Sequence, residues 1–251
     1  ERRMASYALL DNGPTRAGHA HKNNLTIHYE AFGLPVVVDP GRAIYRPDAD
    51  RSWVTACESH NTLFIEDTPI RAGERIPVPA LHIIPFPGDP RLGEVSVEES
   101  DRFFLLRSRF SGYAPEPGAS VLRSVFLGRD ETAPWLAVVD EIISPTEHTW
   151  TNSWLLPSSE AVATIEGGFR LRLDNGLFVH LRVCAGGPLD LRDDAMFWCP
   201  QYGEKSPARW VRFSRRCAAE RRVAMLVPAR ESNGSVNARF AALEAALRSV
   251  P

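Results

Sequence analysis

Short runs in which hydrophobic and polar residues alternate recur along most of the chain, and Pro and Gly residues separate them. Alternation with a period of two is typical of β-strands that bury one face, because successive side chains point to opposite faces of a sheet. The three valines at residues 36–38 instead predict a strand that is buried on both faces. The alternating runs that predict strands are residues 25–29, 121–127, 169–173 and 177–183.

Turn residues between the last two of these runs predict a β-hairpin. Asp174, Asn175 and Gly176 lie between residues 169–173 and residues 177–183. An Asn-Gly pair supplies the positive φ angles that a tight primed turn requires, so we expect a primed turn here. The proline-rich segment at residues 70–90 predicts the longest loop of the chain.

Only the C-terminal end of the chain has helical periodicity. Four apolar residues within residues 236–250 recur at intervals of three and four, which places them on one face of a helix. Either Asn233 or Ser235 can cap the start of this helix. The four apolar residues are Phe240, Leu243, Leu247 and Val250.

The density of predicted strands indicates the fold class. Many short strands with frequent turn signals and one terminal helix predict an all-β protein, an antiparallel sandwich or barrel rather than alternating β-α units. The chain has 251 residues, of which 44% are hydrophobic. That is enough for one large domain over residues 1–251, with room for a smaller terminal subdomain.

Charge, apolar run length and cysteine content exclude several classes of protein. The formal net charge is -2 and no block of Lys and Arg occurs, so nothing favours binding to nucleic acid or to a charged membrane surface. No apolar run approaches the roughly 18 residues of a membrane-spanning helix. The four cysteines form no C-x-x-C pair, and we interpret them as small buried side chains.

Histidine and aspartate residues near the N-terminus are the strongest candidates for chemistry. His19 and His21 are one residue apart, so on a strand both point to one face and can reach one ion or one substrate. Asp39 ends the valine run, and His60 precedes another apolar run. Two imidazoles and a carboxylate suit zinc or a similar divalent ion. His28 is out of phase with His21 and is interpreted as an ordinary strand residue.

These residues also have simpler interpretations. Asp39 precedes Pro-Gly, where a carboxylate commonly accepts backbone N–H groups in a turn. A single histidine is more often a hydrogen-bonded or exposed polar side chain than a ligand. H-x-H pairs occur in metal sites of the cupin type, but there a Glu normally follows within a few residues, whereas Lys22, Asn23 and Asn24 follow here.

Three segments that mix aromatic and charged residues are candidates for a sugar-binding surface. Aromatic rings stack on sugar rings, and Arg pairs with carboxylates. In most proteins such aromatic residues belong to the core instead. The chain has no G-x-S-x-G, P-loop or dinucleotide fingerprint. The three segments are residues 107–113, 150–157 and 202–205.

Seven short motifs together resemble one known family. In their order and spacing they are similar to the C-terminal β-sandwich domain of the heparinase II/III-like polysaccharide lyases, and the resemblance extends from near residue 5 to near residue 230. The motifs are D-N-G-P at 11–14, G-H-A-H at 18–21, AFGLPVVVDPG at 31–41, S-H-N-T at 59–62, VVDEI at 138–142, W-L-L-P at 154–157 and YGEKSPA at 202–208.

The resemblance implies a fold and a reaction. It implies a large antiparallel β-sandwich of the supersandwich type with a short C-terminal helix, which in the family packs beside an N-terminal (α/α) toroid. The family cleaves uronic-acid-containing glycans by β-elimination in the cleft between the two domains. The expected partners are therefore an acidic polysaccharide or oligosaccharide and a toroid domain upstream of this chain, with no nucleic acid and no membrane.

The resemblance also implies roles for individual residues. His19 corresponds to the catalytic histidine of the sandwich domain, and His21, Asp39 and His60 correspond to ligands of a structural divalent ion, most often zinc. Asn23 stands where the family usually has Asp, which weakens the expected support of the ion site. The residues that bind substrate are not assigned by these motifs.

We therefore expect the C-terminal domain of a polysaccharide lyase, inactive without its toroid. The alternative is a non-catalytic carbohydrate-binding or structural β-sandwich module, and a cupin-type metalloenzyme is a third possibility. The chain starts with Glu1-Arg2-Arg3 and has no apolar signal region, so we expect a missing N-terminal part. The family resemblance favours a periplasmic or secreted bacterial protein, and a cytoplasmic location stays open.

Overall fold

The computed structural model describes residues 5–13, 21, 23–44, 48–66, 90–113, 116–130, 132–165, 168–230 and 236–248. Most of them lie in antiparallel β-strands, which confirms the predicted fold class. The strands are β1 (Tyr7–Asp11), β2 (Thr26–Ala31), β3 (Leu34–Val37), β4 (Leu63–Ile65), β5 (Ser96–Glu99), β6 (Phe103–Phe110), β7 (Ser120–Gly128), β8 (Leu136–Leu156), β9 (Ala163–Ile165), β10 (Gly168–Arg172), β11 (Phe178–Cys184), β12 (Asp190–Trp198) and β13 (Ser206–Ala229). The helices are α1 (Ala49–Thr55) and α2 (Val236–Arg248).

The strands form two sheets. The small sheet has three strands in the order β1-β2-β3. The large sheet has ten strands, in the order β5-β6-β7-β8-β13-β11-β10-β9, with β4 paired to β8 and β12 paired to β13. The predicted strands at residues 25–29, 121–127, 169–173 and 177–183 are confirmed as β2, β7, β10 and β11.

Two very long strands divide the large sheet into two halves. Strand β8 has 21 residues and β13 has 24, and they pair in two blocks separated by a shift in register. Strands β7 and β11 extend the block formed by the start of β8 and the end of β13. Strands β4 and β12 extend the block formed by the end of β8 and the start of β13. A bulge of this kind bends the paired strands, so one pair of strands contributes to both halves.

The main hydrophobic core joins the small sheet to both halves of the large sheet. Ile27 and Tyr29 of β2 belong to the same buried cluster as Trp154 of β8 and Phe213 of β13. The predicted strand at residues 36–38 is confirmed in position and burial, since β3 ends at Val37 and all three valines are fully buried. This core holds the small sheet in place, and a residue of the candidate site closely follows the last strand of that sheet.

Helix α2 covers the opposite face of the large sheet and confirms the helix predicted near the C-terminus. Phe240 and Leu243 pack in one cluster with Met225 of β13. The guanidinium of Arg182 lies 4.5 Å from the centre of the Phe240 ring, and its Nη2 donates to Asn237 Oδ1 at 2.7 Å. The proposed caps at residues 233 and 235, and the last apolar position at residue 250, lie outside the described residues.

Helix α1 was not predicted, and the expectation of a single helix is therefore wrong. Asp48 caps α1, because its side chain accepts a hydrogen bond from the backbone N–H of Arg51 at 2.9 Å. Val54 is its buried residue, and Trp53 packs edge-on against Trp210 with ring centres 4.9 Å apart. Seven residues are too few to show helical periodicity, although the capping Asp48 was a usable signal.

The hairpin between β10 and β11 is confirmed, but its predicted turn type is wrong. Gly176 has a positive φ of 88°, whereas Asn175 does not have a positive φ. Leu173 and Leu177 close a three-residue loop, since the Leu173 N–H donates to the Leu177 carbonyl at 2.7 Å. A three-residue loop needs only one residue with positive φ, so the primed turn is not formed. Asn175 instead donates to the Pro35 carbonyl at 2.7 Å.

Two other expectations concern loops and membrane insertion. The predicted long loop at residues 70–90 lies almost entirely outside the described residues. Among the described helices, neither has the length and apolar character needed to cross a membrane.

His180 gives the fold a testable pH dependence. This residue of β11 is buried, and its Nε2 has no hydrogen-bond partner among the described residues. Burial, together with the nearby positive charges of Arg170 and Arg182, lowers the pKa of His180 to about 4. In the unfolded chain the imidazole has its ordinary pKa of about 6.5.

We expect the free energy of unfolding to fall as the pH drops from about 6.5 to about 4, because only the unfolded chain binds the proton in this range. The contribution of His180 reaches about 3 kcal/mol at pH 4. Urea unfolding with EDTA at several pH values should show a shallower dependence for His180→Leu than for the unchanged chain. Equal slopes in the two proteins would contradict this assignment. His21 also has a lowered pKa, and it contributes equally to both.

Candidate functional site

Three of the predicted site residues come together in the structure. His21, Asp39 and His60 each offer one ligand atom, and these atoms all lie within 4.8 Å of one another. They come from the segment before β2, the end of β3 and the segment before β4. The fourth predicted residue, His19, lies outside the described residues.

Asp39 is held in a tight turn directly after β3. Its Oδ1 accepts a hydrogen bond from the backbone N–H of Gly41 at 2.9 Å, which is the turn-forming role expected of Asp before Pro-Gly. Gly41 has a positive φ of 72°, and a Cβ there would lie only 2.2 Å from the Cys199 carbonyl oxygen. Glycine is therefore required at this turn, and the turn leaves Asp39 Oδ2 directed at His60.

His60 is completely buried and follows a 3₁₀ turn at Cys57–Ser59. Its Nδ1 lies 2.7 Å from Asp39 Oδ2. Its Nε2 is buried and has no hydrogen-bond partner among the described residues. A buried nitrogen without a partner is costly, so a bound ion or an ordered water is the expected compensation.

His21 completes the cluster from a segment without regular structure. Its ring centre lies 5.3 Å from that of His60. Burial, followed by the nearby His60, lowers the pKa of His21 to about 4. The imidazole is therefore neutral at neutral pH, and a neutral imidazole nitrogen is the form that binds a metal ion.

The carboxyl group of Asp39 is ionised at neutral pH. Burial by itself would raise its pKa, but the charge of His60 and hydrogen bonds from His60 and the Gly41 N–H outweigh burial and hold the pKa of Asp39 below its ordinary value. An anionic oxygen and imidazole nitrogens are donors that zinc prefers. The donor set fits a divalent ion, because one ligand atom of each residue lies within 4.8 Å of the other two.

One of the positions around the cluster, His21, differs from what the sequence led us to expect. His21 does not lie on a strand, so the argument that placed it with His19 on one strand face does not hold at this residue. Asn23, which replaces the usual Asp of the family motif, donates from Nδ2 to Asp11 Oδ2 at 3.1 Å. His28 is confirmed as a strand residue of β2, where its Nε2 lies 3.5 Å from Glu30 Oε1.

Sequence reasoning missed the positive charges beside the cluster. Arg42 and Arg51 both lie close enough to His21 to lower its pKa. The turn at Gly203 packs against this region, because the Gly203 N–H donates to the Arg42 carbonyl at 3.1 Å. Arg42 follows the Pro-Gly turn directly in sequence, which was the available signal.

Of the three candidate sugar-binding segments, two are largely core. Trp150, Trp154 and Tyr113 are buried, in agreement with the simpler interpretation of aromatic residues in residues 107–113 and 150–157. In residues 202–205, Tyr202 is 59% exposed. Residues 202–205 are therefore the one segment of the three that offers an exposed aromatic ring, in a turn that is hydrogen-bonded to Arg42.

Comparison with known families and structures gives consistent matches. The family described as Heparinase II/III-like, C-terminal, matches residues 2–235. Heparan sulfate lyase HepC from Pedobacter heparinus is similar in structure, with a TM-score of 0.71, 16% sequence identity and 91% of this chain covered. A structure of heparinase III has a TM-score of 0.70 and 18% identity over 93% of this chain.

These matches differ in what they establish. At such low identity the structural similarity shows the fold alone. This chain covers 34% of the HepC chain and 35% of the heparinase III chain, so it spans about a third of their length. None of the curated proteins compared with the chain is a significant match.

Proposed function

Because the chain belongs to the heparinase II/III-like C-terminal domain family, we propose that it is the C-terminal domain of a polysaccharide lyase that cleaves uronic-acid-containing glycans by β-elimination. The observation that carries the proposal is the convergence of His21, Asp39 and His60 in a chain that matches this family over residues 2–235. The heparan sulfate lyase and heparinase III structures with the same fold support the class of substrate.

The reaction assigns distinct tasks to the protein. A β-elimination removes the proton at C5 of the uronic acid and expels the group bound through O4, leaving a C4–C5 double bond. Neutralising the carboxylate makes the C5 proton more acidic and stabilises the developing negative charge. A base removes the proton, and an acid protonates the leaving oxygen.

His19 is the residue of this chain that we assign to proton transfer near the scissile bond. This role follows from its match to the family motif. Arg42 and Arg51 add positive charge beside the neighbouring His21, and positive charge attracts the carboxylates of an acidic glycan. The other catalytic groups belong to the toroid, which we propose lies upstream and forms the second wall of the cleft.

His21, Asp39 and His60 would hold a divalent ion, most simply zinc. The ion would be structural and would join three chain segments that precede β2, follow β3 and precede β4. It supplies no step of the elimination in this proposal. The fit rests on the ionised Asp39, the neutral His21 and the grouping of one ligand atom from each of the three residues within 4.8 Å.

The domain by itself is proposed to be inactive, because the family active site requires residues from two domains. We also propose a periplasmic or secreted location, where polymeric glycans are accessible.

An elimination assay on the longer protein tests the proposed function. We expect the protein that includes the upstream part to convert heparan sulfate or another uronate polymer into products with the ultraviolet absorbance of an unsaturated uronate. The isolated domain, assayed in parallel, should give no such product. If the longer protein binds acidic glycans without forming unsaturated product, the chain is a carbohydrate-binding module instead.

A further inference from the structure

Asn61 connects the segment that carries His60 to the segment that carries Asp39. It follows His60 in sequence and is only 1% exposed. Its Nδ2 donates to the Ile27 carbonyl at 2.9 Å and to the Val38 carbonyl at 2.8 Å. Its Oδ1 accepts from the Leu155 N–H at 2.7 Å. One amide group therefore ties β2, the end of β3 and β8 to the residue beside His60.

The contact with Val38 matters because Val38 directly precedes Asp39. The Val38 N–H donates to the Leu155 carbonyl at 3.0 Å, so Val38, Leu155 and the Asn61 side chain form a closed set of hydrogen bonds. His60 directly precedes Asn61 and Asp39 directly follows Val38, so each of the two site residues is adjacent in sequence to a residue of this set. The separation of the two site residues therefore depends on this amide.

The backbone of Asn61 is fixed as firmly as its side chain. Its carbonyl accepts from Arg123 Nη1 at 2.9 Å, and its N–H donates to Thr26 Oγ1 at 3.2 Å. Arg123 is itself buried and paired with Asp140, through Nε to Oδ1 at 2.7 Å and Nη2 to Oδ2 at 2.9 Å. Bidentate pairing with Asp140 fixes the orientation of the Arg123 guanidinium, which in turn holds the Asn61 carbonyl.

The chemistry of this position requires an amide of this length. Two carbonyl oxygens, from Ile27 and Val38, need donors, and the Leu155 N–H needs an acceptor. Aspartate has the same shape but would place a carboxylate against the two carbonyl oxygens. Alanine would leave all three buried backbone groups without partners, which is costly.

We propose that Asn61 is a positioning residue that sets the separation of Asp39 and His60 so that both can serve one divalent ion. The inference rests on the proposed function, because it assumes that His21, Asp39 and His60 hold an ion. Outer groups that orient metal ligands commonly change metal affinity by about 10- to 100-fold when they are replaced. Asn61 acts on both ligand residues at once.

The test compares Zn²⁺ and Co²⁺ binding by the isolated chain and its variants. We expect Asn61→Ala to weaken Zn²⁺ binding by about 10- to 100-fold in competition with a chromophoric chelator, and to alter the visible spectrum of bound Co²⁺. Asn12→Ala is the matched control. Asn12 is also buried, and its Nδ2 donates to Ser108 Oγ at 2.8 Å and to the Arg109 carbonyl at 2.9 Å, away from the ligands.

A second variant, Asn61→Asp, distinguishes an effect of ligand positioning on Zn²⁺ affinity from an effect of added charge. A stability measurement distinguishes both from loss of folding. Asn61→Asp adds an acidic group beside the site, which by electrostatics alone would strengthen cation binding. The positioning role predicts weaker binding, because the carboxylate opposes the Ile27 and Val38 carbonyls. Urea unfolding in EDTA gives the stability of each metal-free variant, so that affinities are compared between folded proteins.

Three outcomes overturn the proposal. Zn²⁺ affinity and a Co²⁺ spectrum unchanged in Asn61→Ala would show that the amide does not position the ligands. Equal weakening in Asn61→Ala and Asn12→Ala at similar metal-free stability would assign the effect to general destabilisation. An unchanged chain that binds neither ion would remove the ion site itself, and this outcome alone also refutes the metal part of the proposed function.

Discussion

His60→Ala should yield a domain without a bound divalent ion, whereas the unchanged domain, purified without chelator, should carry about one equivalent of zinc. The ring of His60 is completely buried, and its removal takes away a donor at the centre of the cluster. An ion that binds only the folded chain stabilises it by about 4 kcal/mol when the ion concentration is a thousand times its Kd. Elemental analysis and thermal melting with and without EDTA measure both effects.

EDTA provides the internal control for this prediction. It should lower the melting temperature of the unchanged domain and leave that of His60→Ala unaffected, because the variant has no ion to lose. His28→Ala is the matched variant, since His28 lies on nearby β2 and pairs with Glu30 rather than with the cluster. It should keep its zinc. A domain that carries no metal and melts identically with EDTA would leave Asp39 as a turn residue only.

The strands could be predicted because their periodicity is local, whereas the exceptions arise from contacts distant in sequence. On the face of β7 that carries the buried Val121 and Val125, alternation predicts apolar residues, yet this face also carries Arg123. Arg123 is 1% exposed. Asp140 of the adjacent strand pairs with both ends of its guanidinium, which makes burial of the charge possible. Nothing in a single run of residues reveals such a partner.

The residue types suggested the donors of the candidate site, but only the family motifs implied that these three residues bind one ion. His21, Asp39 and His60 are separated by about twenty residues each, and no spacing of that kind implies proximity. Their approach depends on the pairing of β2 with β3 and on the hydrogen bonds of Asn61, which join segments far apart in the chain. The role of Asn61 was invisible in the sequence because an isolated Asn is equally compatible with a turn or an exposed position.

His19→Ala in the longer protein should lower the rate of glycan elimination by about 100- to 10,000-fold, the usual contribution of a positioned acid or base. Zinc content and melting temperature should stay unchanged, because His19 is assigned to proton transfer and His21 to the ion. The ultraviolet absorbance of the unsaturated product measures the rate, and elemental analysis of the same preparation measures the ion.

Substitutions of the two histidines of the H-x-H pair should therefore have different effects on zinc content and on the elimination rate. His21→Ala should lose the ion and melt at a lower temperature, since His21 is the member whose ring lies 5.3 Å from His60. Any loss of elimination in that variant should accompany the loss of zinc, whereas in His19→Ala it should occur with zinc retained. A His19→Ala protein with a normal elimination rate would refute the catalytic assignment. Loss of zinc in His19→Ala with zinc kept in His21→Ala would exchange the two roles, because one imidazole cannot serve both as a ligand and as a proton carrier.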